Sequence, residues 1–158
     1  FALFSEQRSF YEVVGRVLDE THLPPSYLEL DIVENLLVGG GDKLIDTLEE
    51  LRERGISVAL DNFGTGGVSL ALLARLPLDV LKMDRSFVNS VTPDNSDPRL
   101  IKTIIAMASS LGLPVLAKYV ETELQREVLA REGCDLLQGY LFSAPLAVSN
   151  IENLLQRG

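Results

Sequence analysis

Three short stretches constrain the fold of this chain more than anything else in it. Arg54-Gly55-Ile56, Leu111-Gly112-Leu113 and Glu132-Gly133-Cys134 each set a glycine between an amphipathic helical pattern and an apolar run. A glycine there adopts the left-handed conformation that stops a helix and turns the chain directly into a strand. Helix–Gly–strand repeated three times is the grammar of a parallel α/β fold, because parallel neighbours need crossover helices. The strand candidates are Leu28–Val33, Ser57–Leu60, Val80–Met83, Pro114–Ala117 and Leu136–Gly139, with Phe1–Phe4 as the end of one more.

The helices between them follow from capping and periodicity. Ser9 and Glu12 form a capping-box pattern, followed by Phe10, Val13, Val14, Val17 and Leu18 on one face. A second helix is expected from Asp42 to Arg54, with Leu44, Leu48 and Leu51 inward, and a third over Leu70–Leu76. Arg99–Leu111 packs through Leu100, Ile101, Ile104, Ile105 and Ala108. Thr122–Glu132 carries a second capping box (Thr122, Gln125), and Ser149–Gln156 is the last helix.

Two architectures satisfy this order: an open doubly wound sheet and a (β/α)8 barrel. A full barrel takes about 250 residues, so 158 residues with five or six strands would be a barrel lacking its first strands. The chain opens at Phe1 with no initiator Met and reads as a piece of something longer, a single domain over residues 1–158. An open barrel leaves raw strand edges, which a missing portion or a second copy in a homodimer would cover.

The formal net charge of −9 opposes any role that neutralises a nucleic-acid backbone, so neither DNA nor RNA is expected as a partner. A small phosphate ligand held locally remains compatible with it. Cys134 is the single cysteine, which excludes a disulfide framework or thiolate metal site and fits a reducing, cytoplasmic compartment. No apolar run reaches the roughly 18 residues of a membrane span.

Chemistry in parallel α/β folds gathers at the carboxyl ends of the strands. There the chain places Asp31 and Glu34, Asp61 and Asn62, Lys82 and Asp84, Lys118 and Glu121, and Gln138. A lone aspartate at such a point is ordinarily a helix N-cap. So many polar groups at one end are costly to bury unless they pair or bind an ion. Carboxylates and an amide suit Mg²⁺ or Mn²⁺ rather than zinc. Asp61-Asn62 opens the glycine-containing stretch Asp61-Asn62-Phe63-Gly64-Thr65-Gly66-Gly67, where the backbone can approach a ligand or fold back sharply. His22 reads as a loop residue and Cys134 as a small buried apolar one.

Five motifs in order resemble a known family. They are Leu-Glu-Leu-Asp31-Ile-Val-Glu34, Asp61-Asn62-Phe-Gly-Thr-Gly, Leu81-Lys82-Met83-Asp84-Arg85-Ser86-Phe87-Val88, Ala117-Lys118-Tyr119-Val120-Glu121-Thr122 and Gln138-Gly139-Tyr140-Leu141-Phe142-Ser143-Ala144-Pro145-Leu146. Together they resemble the EAL domain, the bacterial cyclic-di-GMP phosphodiesterase module. The resemblance implies a modified (β/α)8 barrel with one antiparallel strand, of which this chain would be the C-terminal two-thirds. It also implies hydrolysis of cyclic-di-GMP to linear pGpG with Mg²⁺ or Mn²⁺, where metals neutralise the phosphate and activate a water.

The resemblance assigns roles by position. Asp31 and Asp61 stand at metal-ligand positions, and Asp31 is one methylene shorter than the usual Glu. Lys82 matches the lysine that contacts the attacking water, and Glu121 is a second remnant of the catalytic set. Glu34 matches the glutamate that steadies the glycine-containing loop. Asp84, Gln138, Phe142 and Pro145 fall in substrate-binding segments, the last two beside the guanine pocket.

The departures from the family pattern are as informative. The strand bearing the Glu-Ala-Leu signature is absent, and with it a metal-binding Glu and a phosphate-gripping Arg. Ala2 stands for a metal-binding Asn, Asn62 for the second aspartate of a pair, and Lys118 for another metal-binding Glu. Gly67 and Val68 replace a Tyr-Ser pair. Lys118 puts a cation where a cation would bind, and can take a metal's place beside Asp61 or Asp31. The expectation is a degenerate, catalytically inactive domain with a regulatory or nucleotide-sensing role, attached to upstream signalling domains or partner proteins. An active phosphodiesterase with its missing ligands upstream is the alternative, and a protein-interaction scaffold the third reading.

Overall fold

The computed structural model describes residues 7–94 and 97–155. The expected strand at Phe1–Phe4, and Ala2 with it, lie outside the described residues. In chain order the elements are α1 (Gln7–Thr21), a 3-10 turn at Pro25–Tyr27, β1 (Glu29–Val33), α2 (Glu34–Glu53), β2 (Ser57–Phe63) and α3 (Leu70–Leu73). They continue with β3 (Val80–Met83), α4 (Arg85–Asn89), α5 (Arg99–Ser110), β4 (Val115–Ala117), α6 (Glu123–Arg131), β5 (Leu136–Leu137) and α7 (Val148–Leu155).

The three glycine junctions share one geometry. Gly55, Gly112 and Gly133 have φ of 92°, 71° and 86°. In each case the residue after the glycine reaches back to close the helix: Ile56 N–H donates to Leu51 at 3.1 Å, Leu113 to Ala108 at 2.9 Å, and Cys134 to Leu129 at 3.0 Å. The glycine amides close the shorter ring, to Arg52, Ser109 and Ala130. These are Schellman turns, which satisfy the last carbonyls of the helix and aim the chain back at the sheet.

All five strands are parallel and lie in the order β1-β2-β3-β4-β5, each paired with its successor in sequence. A doubly wound sheet reverses its order at a switch point. This sheet does not, so it has the barrel order. The register then sorts the side chains by face. Asp31 pairs with Ala59, Ala59 with Val80, Lys82 with Leu116, and Leu116 with Leu136. Alternation from these pairs puts Glu29, Asp31, Asp61, Lys82, Lys118 and Gln138 on one face. Ile32, Val58, Leu60, Leu81, Met83, Val115 and Ala117 occupy the opposite face, all buried in the core beneath the helices. Each fully buried Leu or Val there contributes roughly 1.5–3 kcal/mol of transfer free energy.

Two aspartates repeat a device at the opposite end of the strands. Asp79, just before β3, accepts the Val58 N–H at 2.9 Å, and Asp135, just before β5, accepts the Val115 N–H at 2.8 Å. Each closes the start of the preceding strand. Asp79 also takes a bidentate grip from Arg52, with its shortest bond 2.7 Å.

Several helix expectations change. α2 begins at Glu34 and passes through Gly39–Gly41, eight positions before the expected Asp42. Each glycine costs about 1 kcal/mol against alanine in a helix. The start is nevertheless fixed by Leu37, which is buried and falls on the same face as Leu44, Leu48 and Leu51. Val13 and Val17 of α1 are 42% and 47% exposed, while Leu18 is buried and Phe10, Tyr11 and Val14 pack on the core. The inward stripe of α1 is therefore one position round from the expected face. Leu100 is likewise exposed, and α5 packs through Ile101, Ile104, Ile105 and Ala108, with Met107 partly buried beside them. α3 stops at Leu73 because Leu76 and Leu78 reach the core from the following loop.

Candidate ligand site at the strand ends

β2 runs three residues past its expected end, and its register against β3 shifts between Leu60 and Phe63. The irregularity falls on Asp61-Asn62, and Asn62 takes a left-handed φ of 55°, a conformation that asparagine tolerates better than most residues. The glycine-containing stretch follows, and it is folded around Glu34. Glu34 is buried, and its carboxylate accepts the N–H groups of Gly64 at 3.0 Å, Gly66 at 2.8 Å and Val68 at 3.0 Å. Three amides that would otherwise be orphaned share one anion, which is the strong kind of hydrogen bond. Gly64 has φ 99°, and a Cβ on it would meet the Phe87 ring at 2.5 Å.

The two lysines of the polar face are both occupied. Lys82 Nζ lies 2.5 Å from Asp31 Oδ1 and 2.6 Å from Glu29 Oε1, and the residue is 8% exposed. Burial pulls the Lys82 ammonium down. Its hydrogen bonds to Asp31 and Glu29, with their charge, outweigh that, so its pKa stands above the ordinary lysine value. Lys118 Nζ donates to Asp61 Oδ1 and, at 3.1 Å, to Asn62 Oδ1. The Asp61 and Lys118 side chains are each 15% exposed. Asp61 Oδ1 also accepts the Asn62 N–H at 2.9 Å.

The remaining site residues fall into two places. Asp84 caps α4, its carboxylate accepting the Ser86 N–H at 2.9 Å. Burial raises its carboxyl pKa, but the Ser86 and Arg85 hydrogen bonds and the Lys118 charge prevail and bring it below the usual carboxylate range. Glu121, Gln138, Phe142 and Pro145 line one cavity of about 780 Å³ together with Lys118, Arg85, Tyr119 and Tyr140. The structure thus gathers Lys118, Glu121, Gln138, Phe142 and Pro145 at this cavity, and Asp31 with Lys82 in a neighbouring ion cluster. Asp61 and Asn62 meet the cavity through Lys118, and Glu34 underpins the loop.

Sequence reasoning missed three residues here. Glu29 is in reach of Lys82 because it sits two positions before Asp31, on the same strand face, a relation that strand alternation exposes. Arg85 and Tyr119 gave no such signal. Tyr119 has φ 63°, which costs a bulky residue about 1–2 kcal/mol.

The donor set is poorly suited to a divalent ion. Asp61 is paired with the Lys118 ammonium, Asp31 shares the Lys82 ammonium with Glu29, and the Asn62 carboxamide oxygen is taken by Lys118. Among the described residues no three of His, Cys, Asp and Glu converge. Mg²⁺ and Mn²⁺ need several oxygen donors at one point, and with the lysines where they are these residues do not fit such an ion.

Known proteins share this fold. The EAL domain profile matches residues 3–145. The chain is 44% identical over 148 residues to the cyclic di-GMP phosphodiesterase NbdA of Pseudomonas aeruginosa, covering 94% of this chain and 19% of that protein. Among solved structures, the phosphodiesterase PaMucR in complex with c-di-GMP superposes with a TM-score of 0.84 at 37% identity, covering 90% of this chain and 57% of that one. The manganese and cyclic-di-GMP complex of Klebsiella pneumoniae BlrP1 gives 0.74 at 29% identity, covering 85% and 35%. The chain therefore spans about a fifth of NbdA. With its strand order, its motifs and a family match over nearly its whole length, the chain belongs to the EAL domain family.

Proposed function

We propose that this chain is a degenerate EAL domain that binds cyclic-di-GMP without a metal ion and does not hydrolyse it, serving as a nucleotide-sensing part of a signalling protein. The observation that carries the reading is Lys118 on Asp61 and Asn62. Its ammonium supplies the positive charge that a metal would otherwise bring to those oxygens, and a second cation there would be repelled by several kcal/mol at an effective dielectric of about 20. Lys82 supports the same reading, because Glu29 and Asp31 take two of its three donors. The adjoining cavity is of ligand size, and aromatic and cationic side chains both line it. Sensing is then carried by occupancy of this cavity. The five strands among the described residues, against eight in a full barrel, support reading the chain as part of the family barrel, and the motif order favours its C-terminal part.

The test combines calorimetry with product analysis. Titration with cyclic-di-GMP in EDTA is expected to show micromolar binding. Incubation with Mn²⁺ is expected to yield no pGpG. Linear product that vanishes in Asp61→Ala overturns the reading. So does a failure to bind the dinucleotide at all, which leaves the scaffold reading.

A working phosphodiesterase is the second reading. The phosphodiesterase relatives and the retention of Asp31, Asp61, Lys82 and Glu121 favour it. The same incubation decides it, with Lys118 required to leave Asp61 when Mn²⁺ arrives.

A further inference from the structure

Arg85 is exposed at the mouth of the cavity, and its guanidinium carbon lies 4.9 Å from the centroid of the Tyr119 ring. That is within cation–π range. Unlike Lys82 and Lys118, it makes no ion pair among the described residues. The ring covers only a face of the guanidinium. Among the described residues its coplanar N–H donors have no acceptor, and they stand at the edge in the fork that matches two oxygens of a phosphate.

Tyr119 is unusual in its own right. Its φ is 63°, it is 42% exposed, and its ring lies between Arg85 and Lys118, whose Nζ is 5.8 Å from the ring centroid. Its backbone has no freedom to relax. Val120 N–H donates to Gln138 O at 3.0 Å, Leu141 N–H donates to Val120 O at 3.0 Å, and Gly139 packs so closely that a Cβ on it would be 2.1 Å from Val120 O. A strained, half-exposed aromatic that faces cations rather than the core contributes little to packing. Such strain collects where a side chain is held for a ligand.

We propose that Arg85 is the phosphate-binding residue of this cavity, with Tyr119 the shelf that holds its guanidinium edge toward the ligand. The inference rests on the nucleotide-binding reading above and adds to it the residue that reads the anion. Lys118 is the weaker candidate, because Asp61 balances its charge and Asp61 and Asn62 take two of its three donors. The site then discriminates a phosphodiester from a neutral nucleoside through one exposed arginine rather than through a metal.

The test is calorimetry of the intact protein and its variants with cyclic-di-GMP, guanosine and sodium pyrophosphate, at low and high salt. Arg85→Met is expected to weaken cyclic-di-GMP binding by about 10- to 30-fold, the worth of a charge-assisted hydrogen-bonded pair. Guanosine binding and the thermal midpoint are expected to stay unchanged, and the salt dependence to flatten. Arg85→Lys recovers part of the affinity, and Tyr119→Leu loses about 3-fold as the shelf goes. Binding of cyclic-di-GMP by Arg85→Met within two-fold of the unaltered protein overturns the inference and leaves the nucleotide reading intact. If the unaltered protein binds pyrophosphate but not cyclic-di-GMP, the nucleotide reading fails, and loss of pyrophosphate binding in Arg85→Met still supports Arg85 as the anion site. Binding of neither probe overturns both.

Discussion

Glu34 fills the space that a side chain on Gly66 would need. The Gly66 N–H donates to Glu34 Oε2 at 2.8 Å, and a Cβ on Gly66 would lie 2.8 Å from the Glu34 carboxyl carbon. The loop after Asp61 is thus held by a residue that begins the preceding helix. Its shape depends on the carboxylate and the missing Cβ together.

Glu34→Ala leaves the Gly64, Gly66 and Val68 amides without their acceptor. The expected loss is about 2–4 kcal/mol, since each abandoned buried donor costs on the order of 1–3 kcal/mol and water recovers some of it. Glu34→Gln is expected to fall between, because one of its two termini donates where the loop offers only donors. Urea unfolding of the three proteins gives the order.

Lys118 and Asp61 are mutually dependent. Lys118→Met strands a carboxylate that is largely out of water, and Asp61→Leu strands an ammonium. Each alone is expected to destabilise by about 2–3 kcal/mol, below the cost for a fully buried pair. The double variant is expected to regain more than half of the summed loss. A coupling near zero in the cycle would show that the pair carries no weight in the fold.

The pH response has two ends. The Lys82 pKa is raised in the folded protein, so its contribution is complete below the ordinary value of 10.5 and is lost as pH climbs through the higher folded value. The Asp84 pKa is lowered, so its contribution is present above 3.8 and fades as pH falls toward the lower folded value. Thermal midpoints are expected to drop above pH 10.5 in the unaltered protein and more shallowly in Lys82→Met. Asp84→Asn is expected to blunt the decline below pH 4.

Gly139 and Gly67 form a contrasting pair. A Cβ at Gly139 would lie 2.1 to 2.6 Å from backbone atoms of Val120, which cannot turn aside, whereas nothing lies within 4 Å of one at Gly67. Gly139→Ala is expected to cost at least about 2–3 kcal/mol as the cavity wall shifts. Gly67→Ala is expected to be neutral or to stabilise by up to about 1 kcal/mol through the unfolded chain. Paired chemical denaturation curves check both.

Much of the fold was legible because its signals are local. Gly55, Gly112 and Gly133 marked three helix ends, β3 was bounded to the residue, and the Thr122–Gln125 capping box forms as its spacing implied. The errors came where a tertiary partner overrode a local rule. The second helix is expected from Asp42, yet Leu37 has a place in the core that carries it back across Gly39–Gly41. Val13 and Val17 read as core because periodicity does not say which of two adjoining stripes will meet a neighbour.

The site divides along the same line. The sequence by itself determined which chemical groups stand at the strand ends, since strand alternation and helix capping fix the positions of Asp31, Asp61, Lys82 and Lys118. Only the tertiary structure decided who pairs with whom. Lys82 reaches Asp31 across 51 residues, and Lys118 reaches Asp61 across 57. Such pairings depend on sheet register and on the competition between neighbouring charges in a partly dry face, and neither is written in any local stretch of the chain. The glycine junctions brought the strands side by side, and packing then turned the acidic mouth into two lysine-filled clusters, with Arg85 beside them making no ion pair among the described residues.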